Sequence, residues 1–212
     1  LVLSPSYYLL TQKDFAFRMQ KANVRCVITC RESQAEARVL AAAEEAGVPL
    51  RFALGGGDGF EDFLEKVAAQ SPVMDRVETR WSEPILLYFT SGTSGMPKMV
   101  AHSFTYPLGH IVTGRFWHNL DENSIHLTTA DSGWAKCGWG NGQWLHLGAL
   151  LVYDYDRFPP EKVLSLLEEV RATGMMAQPT VYRMLTEVGM DRYDLSSITN
   201  FAVGGEKLSP DL

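Results

Sequence analysis

A chain of 212 residues, 46% apolar and 21% charged, can bury a substantial core, and its 10 prolines and 18 glycines are dispersed rather than massed in low-complexity tracts. A net charge of -6 without any dense basic stretch excludes a binder of nucleic-acid backbones, whose affinity comes from clustered Lys and Arg displacing counterions. No apolar run approaches the ~20 residues that span a bilayer, which excludes a membrane-spanning helix.

In chain order, Thr11 and Asp14 predict a capped helix running to about Lys21. Val24 to Cys30 is a β-branched apolar run that reads as a strand, and the Ala- and Glu-rich segment from Gln34 to Ala46 reads as a helix stopped by Gly47. A strand from Pro49 to Leu54, a turn at Gly55 to Gly57 and a helix from Phe60 to Gln70 come next. The polar stretch from Ser71 to Glu83 reads as a connector, giving an expected division into residues 1–80, a lobe without catalytic motif, and 81–212. Beyond it the pattern predicts strands at Ile85–Phe89, Ser124–Thr128, Leu150–Tyr153, Gly174–Ala177 and Asn200–Val203. Helices are predicted at Ser103–Trp117, Pro160–Thr173 and Pro179–Val188. Strands alternating with helices of this length imply an α/β fold with largely parallel sheets and helices on both faces. Ligands of such sheets collect beyond the carboxyl ends of the strands.

Cys26, Cys30 and Cys137 cannot all pair and lack metal or redox spacing, so buried free thiols in a reducing, cytoplasmic setting are expected. The N-terminus has no signal-peptide layout. The chain starts at Leu1, and its closing Ser-Pro-Asp-Leu reads as a helix start at Ser209, so both ends are expected to be cut from something longer. His102 is a candidate cap for the helix at Ser103, and His110, His118, His126 and His146, which show no metal-ligand spacing, read as structural.

The segment Tyr88 to Lys98, YFTSGTSGMPK, leaves a strand and enters small hydroxyl and glycine residues. Gly92 and Gly95 permit backbone conformations and close approach that let successive N–H groups converge on an anion. Thr90, Ser91, Thr93 and Ser94 add hydroxyl donors, and Lys98 adds a positive charge for a polyphosphate. A solvated Ser/Gly turn would need no such concentration of donors. The P-loop of nucleotide triphosphatases requires Gly-Lys-Ser/Thr at its end, whereas here Pro97 precedes Lys98 and Met99 follows it.

TSGTSGMPK resembles, at every defining position, the phosphate-loop signature of the adenylate-forming superfamily: acyl-CoA synthetases, luciferases and peptide-synthetase adenylation domains. The flanking sequence, from FWHNLDENSIHLTTADSGWAK to PTVYRML, is most similar to medium-chain acyl-CoA synthetases and close to acetyl-CoA synthetases. The resemblance implies part of that fold's large N-terminal domain, in an enzyme that uses ATP and Mg2+ to turn a carboxylic acid into an acyl-adenylate and passes the acyl group to coenzyme A. It assigns Thr90 to Gly95 and Lys98 to the ATP phosphates, with Thr90 and Lys98 as catalytic residues. TADSGWAK is similar to the family's next motif, in which Trp134 would wall the acyl pocket while Asp131 and Gly133 hold the turn. VGGEKL is similar to the segment that borders adenine, placing Gly205 and Glu206 there, although Lys207 replaces the family's proline. Gly204 stands where short-acid synthetases carry a larger aliphatic residue, which implies room for a longer or aromatic acid.

The resemblance also implies that the Thr-Glu motif for magnesium, the ribose-binding Asp, the hinge and the C-terminal lid domain lie beyond this chain, so that 212 residues alone are expected to be inactive. A non-catalytic nucleotide-binding or structural fragment, and an adenylation domain loading a carrier-protein thiol, are the alternatives.

Overall fold

The computed structural model describes residues 1–31, 33–90, 95–131, 133–135, 137, 149–151 and 158–210, residues 149–151 by their backbone alone. The chain forms two compact units, Leu1–Phe104 and Thr105–Leu212.

In the first unit, the Thr11 hydroxyl accepts the Asp14 N–H at 3.2 Å while the Asp14 carboxylate accepts the Thr11 N–H at 3.1 Å, a reciprocal cap that starts α1 (Gln12–Lys21). Strand β1 (Cys26–Cys30) runs parallel to β2 (Leu50–Leu54), and the intervening α2 (Glu36–Glu45) stops before Gly47, whose φ of +66° is a left-handed conformation that glycine enters at no steric cost. A two-residue β3 (Glu61–Asp62) pairs with β2, and Asp62 Oδ1 then caps α3 (Phe63–Ala68) by accepting the Leu64 and Glu65 amides at 2.8 and 3.0 Å. The core gathers Phe15 and Met19 of α1, Val39, Ala42 and Ala43 of α2, and Ala53 of β2.

The other face of β1 is open. Cys26 and Cys30 are exposed, and Ile28 between them is 52% exposed, so the expectation of buried thiols is corrected for these two and holds only for Cys137. Both cysteines do share a strand face, as their spacing requires, but α1 and α2 pack against the opposite one.

Residues 71–83 contain neither helix nor strand. After them, β4 (Pro84–Thr90) and β5 (Lys98–Ser103) form an antiparallel hairpin. Leu3 ties this hairpin to the N-terminal segment, donating to the Ile85 carbonyl and accepting from the Leu87 amide, both at 2.8 Å. The division at Phe104 therefore differs from one at residue 80 by the hairpin itself.

In the second unit, α4 (Tyr106–Phe116) leads to β6 (Ile125–Thr128) and β7 (Ala149–Leu151). Then come α5 (Pro160–Glu169), β8 (Gly174–Ala177), α6 (Pro179–Val188), a 3-10 turn at Met190–Arg192 and β9 (Asn200–Val203). The four strands are all parallel in the order β7-β6-β8-β9. Val163, Leu164 and Leu167 of α5 and Tyr182 and Leu185 of α6 close over Leu127, Met175 and Ala177 on one face of the sheet. The Tyr182 hydroxyl lies 3.0 Å from the Met175 carbonyl and 2.9 Å from that of Ala202, so it bridges neighbouring strands from within the core. Tyr182→Phe should cost about 1 to 2 kcal/mol, because it strips a buried hydrogen bond while keeping the ring. An unchanged urea midpoint would contradict this.

On the opposite face lie His126, Gly174 and Met176. His126 is 0% and His118 1% exposed, their rings meet edge to face at 5.2 Å, and Trp117 sits 4.7 Å from His118. None of the four ring nitrogens has a hydrogen-bond partner among the described residues. Burial, with a smaller contribution from His110, lowers His118 to about 4, and burial with the neighbouring His118 lowers His126 to about 3.

Candidate functional site

In the first unit, Thr90 closes β4 and Lys98 opens β5 directly across from it in the register. The Thr90 hydroxyl donates to the Lys98 carbonyl at 3.5 Å. Thr90, Gly95 and Lys98 are all exposed. Gly95 has a φ of +150°, which side-chain-bearing residues rarely adopt, and open space where a Cβ would stand. Ser91, Gly92, Thr93 and Ser94 lie outside the described residues. At the root of the loop the Arg18 guanidinium lies 4.9 Å from the Phe89 ring centre, and burial lowers its pKa against the opposing pull of Asp14. Nothing in the sequence pattern singles Arg18 out, since it sits on the first helix as an ordinary cationic position.

In the second unit, the remaining predicted residues come to the carboxyl ends of parallel strands. β7 and β8 lie on opposite sides of β6, so the strand order reverses at β6, the place where open parallel sheets leave a crevice. Beyond β6, the Asp131 carboxylate accepts the Gly133 N–H at 2.7 Å and the Asp131 carbonyl accepts that of Trp134 at 2.9 Å. Burial raises the Asp131 pKa, and the Gly133 N–H opposes the rise. Trp134 is 43% exposed. The Thr129 hydroxyl reaches the Gln178 side-chain oxygen at 3.3 Å, linking the ends of β6 and β8.

Beyond β9 stand Gly204, Gly205 and Glu206. A Cβ on Gly204 would meet Met176 Cε at 3.5 Å and Trp117 Cη2 at 3.7 Å, so the space above this glycine is walled by residues that sequence reasoning passed over. Gly205 has a φ of +100°. The Glu206 carboxylate accepts both the N–H and the hydroxyl of Thr180. Among the described residues, no group of three or more His, Cys, Asp or Glu could hold a metal ion, and no helix is long and apolar enough to cross a membrane.

The sequence model described as AMP-binding enzyme matches residues 1–212. The acyl-coenzyme A synthetases ACSM3 of Pongo abelii and of Homo sapiens, both named as mitochondrial, are each 33% identical to this chain, over 222 and 215 residues. Each alignment covers 100% of this chain and 37% of the relative. The mitochondrial ACSM5 of Mus musculus is 33% identical over 218 residues with the same coverage. The chain thus spans 37% of the length of these relatives. Among solved structures, the acyl-CoA synthetase of Brucella canis superposes with a TM-score of 0.84 at 23% identity, over 99% of this chain and 39% of that one. A luciferase-like enzyme of Zophobas morio superposes at 0.80 and 20% identity, over 96% of this chain and 48% of that one. These likenesses show the fold, that of the N-terminal domain of adenylate-forming enzymes.

The expectation of a cytoplasmic setting is overturned by the relatives, which carry the word mitochondrial in their names. Unpaired cysteines separate reducing from oxidising compartments, and they do not separate one reducing compartment from another. By a match that runs from its first residue to its last, this chain belongs to the AMP-binding enzyme family.

Proposed function

We propose that this chain is the phosphate- and acid-binding part of an AMP-forming acyl-CoA synthetase, which joins a carboxylic acid to ATP as an acyl-adenylate and hands the acyl group to coenzyme A. The observation that carries this reading is the exposure of Thr90 and Lys98, register partners at the facing ends of β4 and β5, and of the open Gly95, all within the hydroxyl- and glycine-rich sequence TSGTSGMPK. Thr90 to Gly95 and Lys98 would hold the outer phosphates of ATP as the carboxylate attacks the α-phosphorus and pyrophosphate leaves. Trp134 and Gly204 would bound the acid, and Gly205 and Glu206 the adenine.

In this reading no protein nucleophile is needed. The chain positions two anions against each other, neutralises the charge on the leaving pyrophosphate, and keeps the acid in a walled space. Lys98 is the cation at the mouth of the loop, and the fit is to an anion that arrives from solvent, because the described ends of the loop are exposed. Magnesium, in our reading, would come with the nucleotide and help neutralise its phosphates.

Pyrophosphate exchange tests the reading. The full-length protein should exchange labelled pyrophosphate into ATP only when a carboxylic acid is present, and a failure to exchange with any acid or amino acid would defeat it. Lys98→Ala should weaken ATP binding about tenfold, the loss expected when one charge-assisted contact to a phosphate is removed at an exposed site. Unaltered ATP affinity in that variant would remove the loop from the mechanism.

A further inference from the structure

The N-terminus of α6 has to place the backbone donors of its first turn. Pro179, at the first position, has none. The N–H groups of Val181 and Tyr182 both go to the Gln178 carbonyl, at 3.0 and 3.2 Å. The helix's own cap residue, Gln178, makes no side-chain hydrogen bond to the first turn. That leaves Thr180, and its N–H is taken at 3.1 Å by Oε2 of Glu206, to which the Thr180 hydroxyl also donates at 2.6 Å.

The cap is thus supplied from 26 residues further along the chain, by one of the residues that the proposed function sets beside adenine. The turn it belongs to has little of its own to hold it. Gly205 sits at a φ of +100°, a conformation that glycine enters without steric cost, and Lys207 lacks the ring by which a proline would stiffen the chain there. Two outside attachments fix it instead. The Gly204 N–H donates to the Ala177 carbonyl at the end of β8, at 3.3 Å, and Glu206 is held by Thr180. One helical turn on from Thr180, Arg183 reaches the Ser209 hydroxyl at 3.5 Å, so the segment after the turn is led along the same side of α6.

We infer that Thr180 is a positioning residue for the nucleotide: by clasping Glu206 to the start of α6, it fixes the Gly204–Glu206 backbone against which the base is bound. This rests on the reading of Gly205 and Glu206 given under the proposed function. The residue touches no reacting atom, so it acts on the affinity for ATP and leaves the chemical step alone.

The test compares Thr180→Val, Thr180→Ser and Glu206→Gln in the full-length protein, by ATP titration calorimetry and by the KM for ATP and kcat of acid-dependent pyrophosphate exchange. Thr180→Val keeps the shape and loses the hydroxyl, and should raise the ATP dissociation constant and KM about tenfold with kcat within twofold. Thr180→Ser should return both to within twofold of the unaltered protein, which a general effect on folding would not predict. Should Thr180→Val fail to fold, Glu206→Gln, which replaces the carboxylate by a weaker acceptor of the same shape, should show the same rise. ATP affinity unchanged in the valine and glutamine variants, or a serine variant as impaired as valine, would overturn the positioning role while leaving the proposed function standing. An unaltered protein that binds no ATP would overturn the proposed function itself, and the positioning role with it.

Discussion

Gly174→Val should lower the unfolding free energy by about 3 kcal/mol, the upper range for forcing extra methyl groups into a filled interior. Intrinsic preference argues the other way, since β8 is flanked by β6 and β9 and β-branched residues favour such strands. Packing decides the sign. A Cβ at 174 would lie 2.9 Å from Nδ1 of His126, its register partner on β6, and 3.5 Å from the Asn200 carbonyl on β9. The imidazole has nowhere to withdraw, because it is 0% exposed and braced edge to face against His118, which in turn lies against Trp117. Urea denaturation of the chain measures the loss. Combining Gly174→Val with His126→Ala should recover part of it, because the second change vacates the space the first one needs. A valine variant with the parent's midpoint, or a double variant whose losses simply add, would show that the glycine is not there to make room for the ring.

That glycine illustrates what the sequence could and could not convey. Elements whose signal is local were legible: the Thr11 and Asp14 cap, the stop at Gly47, and the run Gly174–Ala177 followed by Pro179–Val188, whose observed bounds match the expected ones. Strand β5 was missed. Lys98 to Val100 are all exposed, so no two-residue alternation marks them, and the strand exists by pairing its backbone with β4. The helix expected from Ser103 consequently starts only at Tyr106, and His102 lies in β5 rather than at a cap. The face of Cys26 and Cys30 was legible but its burial was not, because burial depends on which side of β1 the helices occupy.

The candidate site divides in the same way. Gly95, Thr90 and Lys98 announce themselves by composition within a few residues, and Trp134 by its place after Asp131 and Gly133. Thr180 carries no such signal. Its partner Glu206 becomes a neighbour only once β8 and β9 lie side by side, with Met176 opposite Ala202 and Ala177 opposite Val203. The same holds for Trp117 and Met176 beside Gly204, which parallel pairing and the end of α4 bring together from distant stretches of chain.

Acid should weaken this fold well above the pH at which carboxylates titrate. His118 and His126 are neutral inside the folded chain down to about 4 and about 3, whereas in the unfolded chain each takes up a proton near 6.5. Between these values the unfolded state binds more protons, so stability falls as pH falls, beginning near 6.5 and continuing toward the folded values. From pH 7.5 to 5.5 the two groups together should remove about 2.5 kcal/mol of unfolding free energy. His102, lowered by burial in the first unit, acts in the same sense. Asp131 acts in the opposite one: burial raises its carboxyl, so the folded chain keeps that proton to higher pH than the unfolded chain, a gain that belongs to the more acidic carboxylate range.

Urea denaturation at the two pH values reads the fall directly, and His118→Leu with His126→Met should abolish most of it. That variant should also begin from a higher stability at pH 7.5, because it removes four buried ring nitrogens that no described residue satisfies. An equal fall in variant and parent would place the acid sensitivity elsewhere. Burial holds the imidazoles neutral, so a proton forced onto either ring would put a charge into an interior where no described residue hydrogen-bonds the ring nitrogens, beneath the sheet whose carboxyl edge carries Gly204.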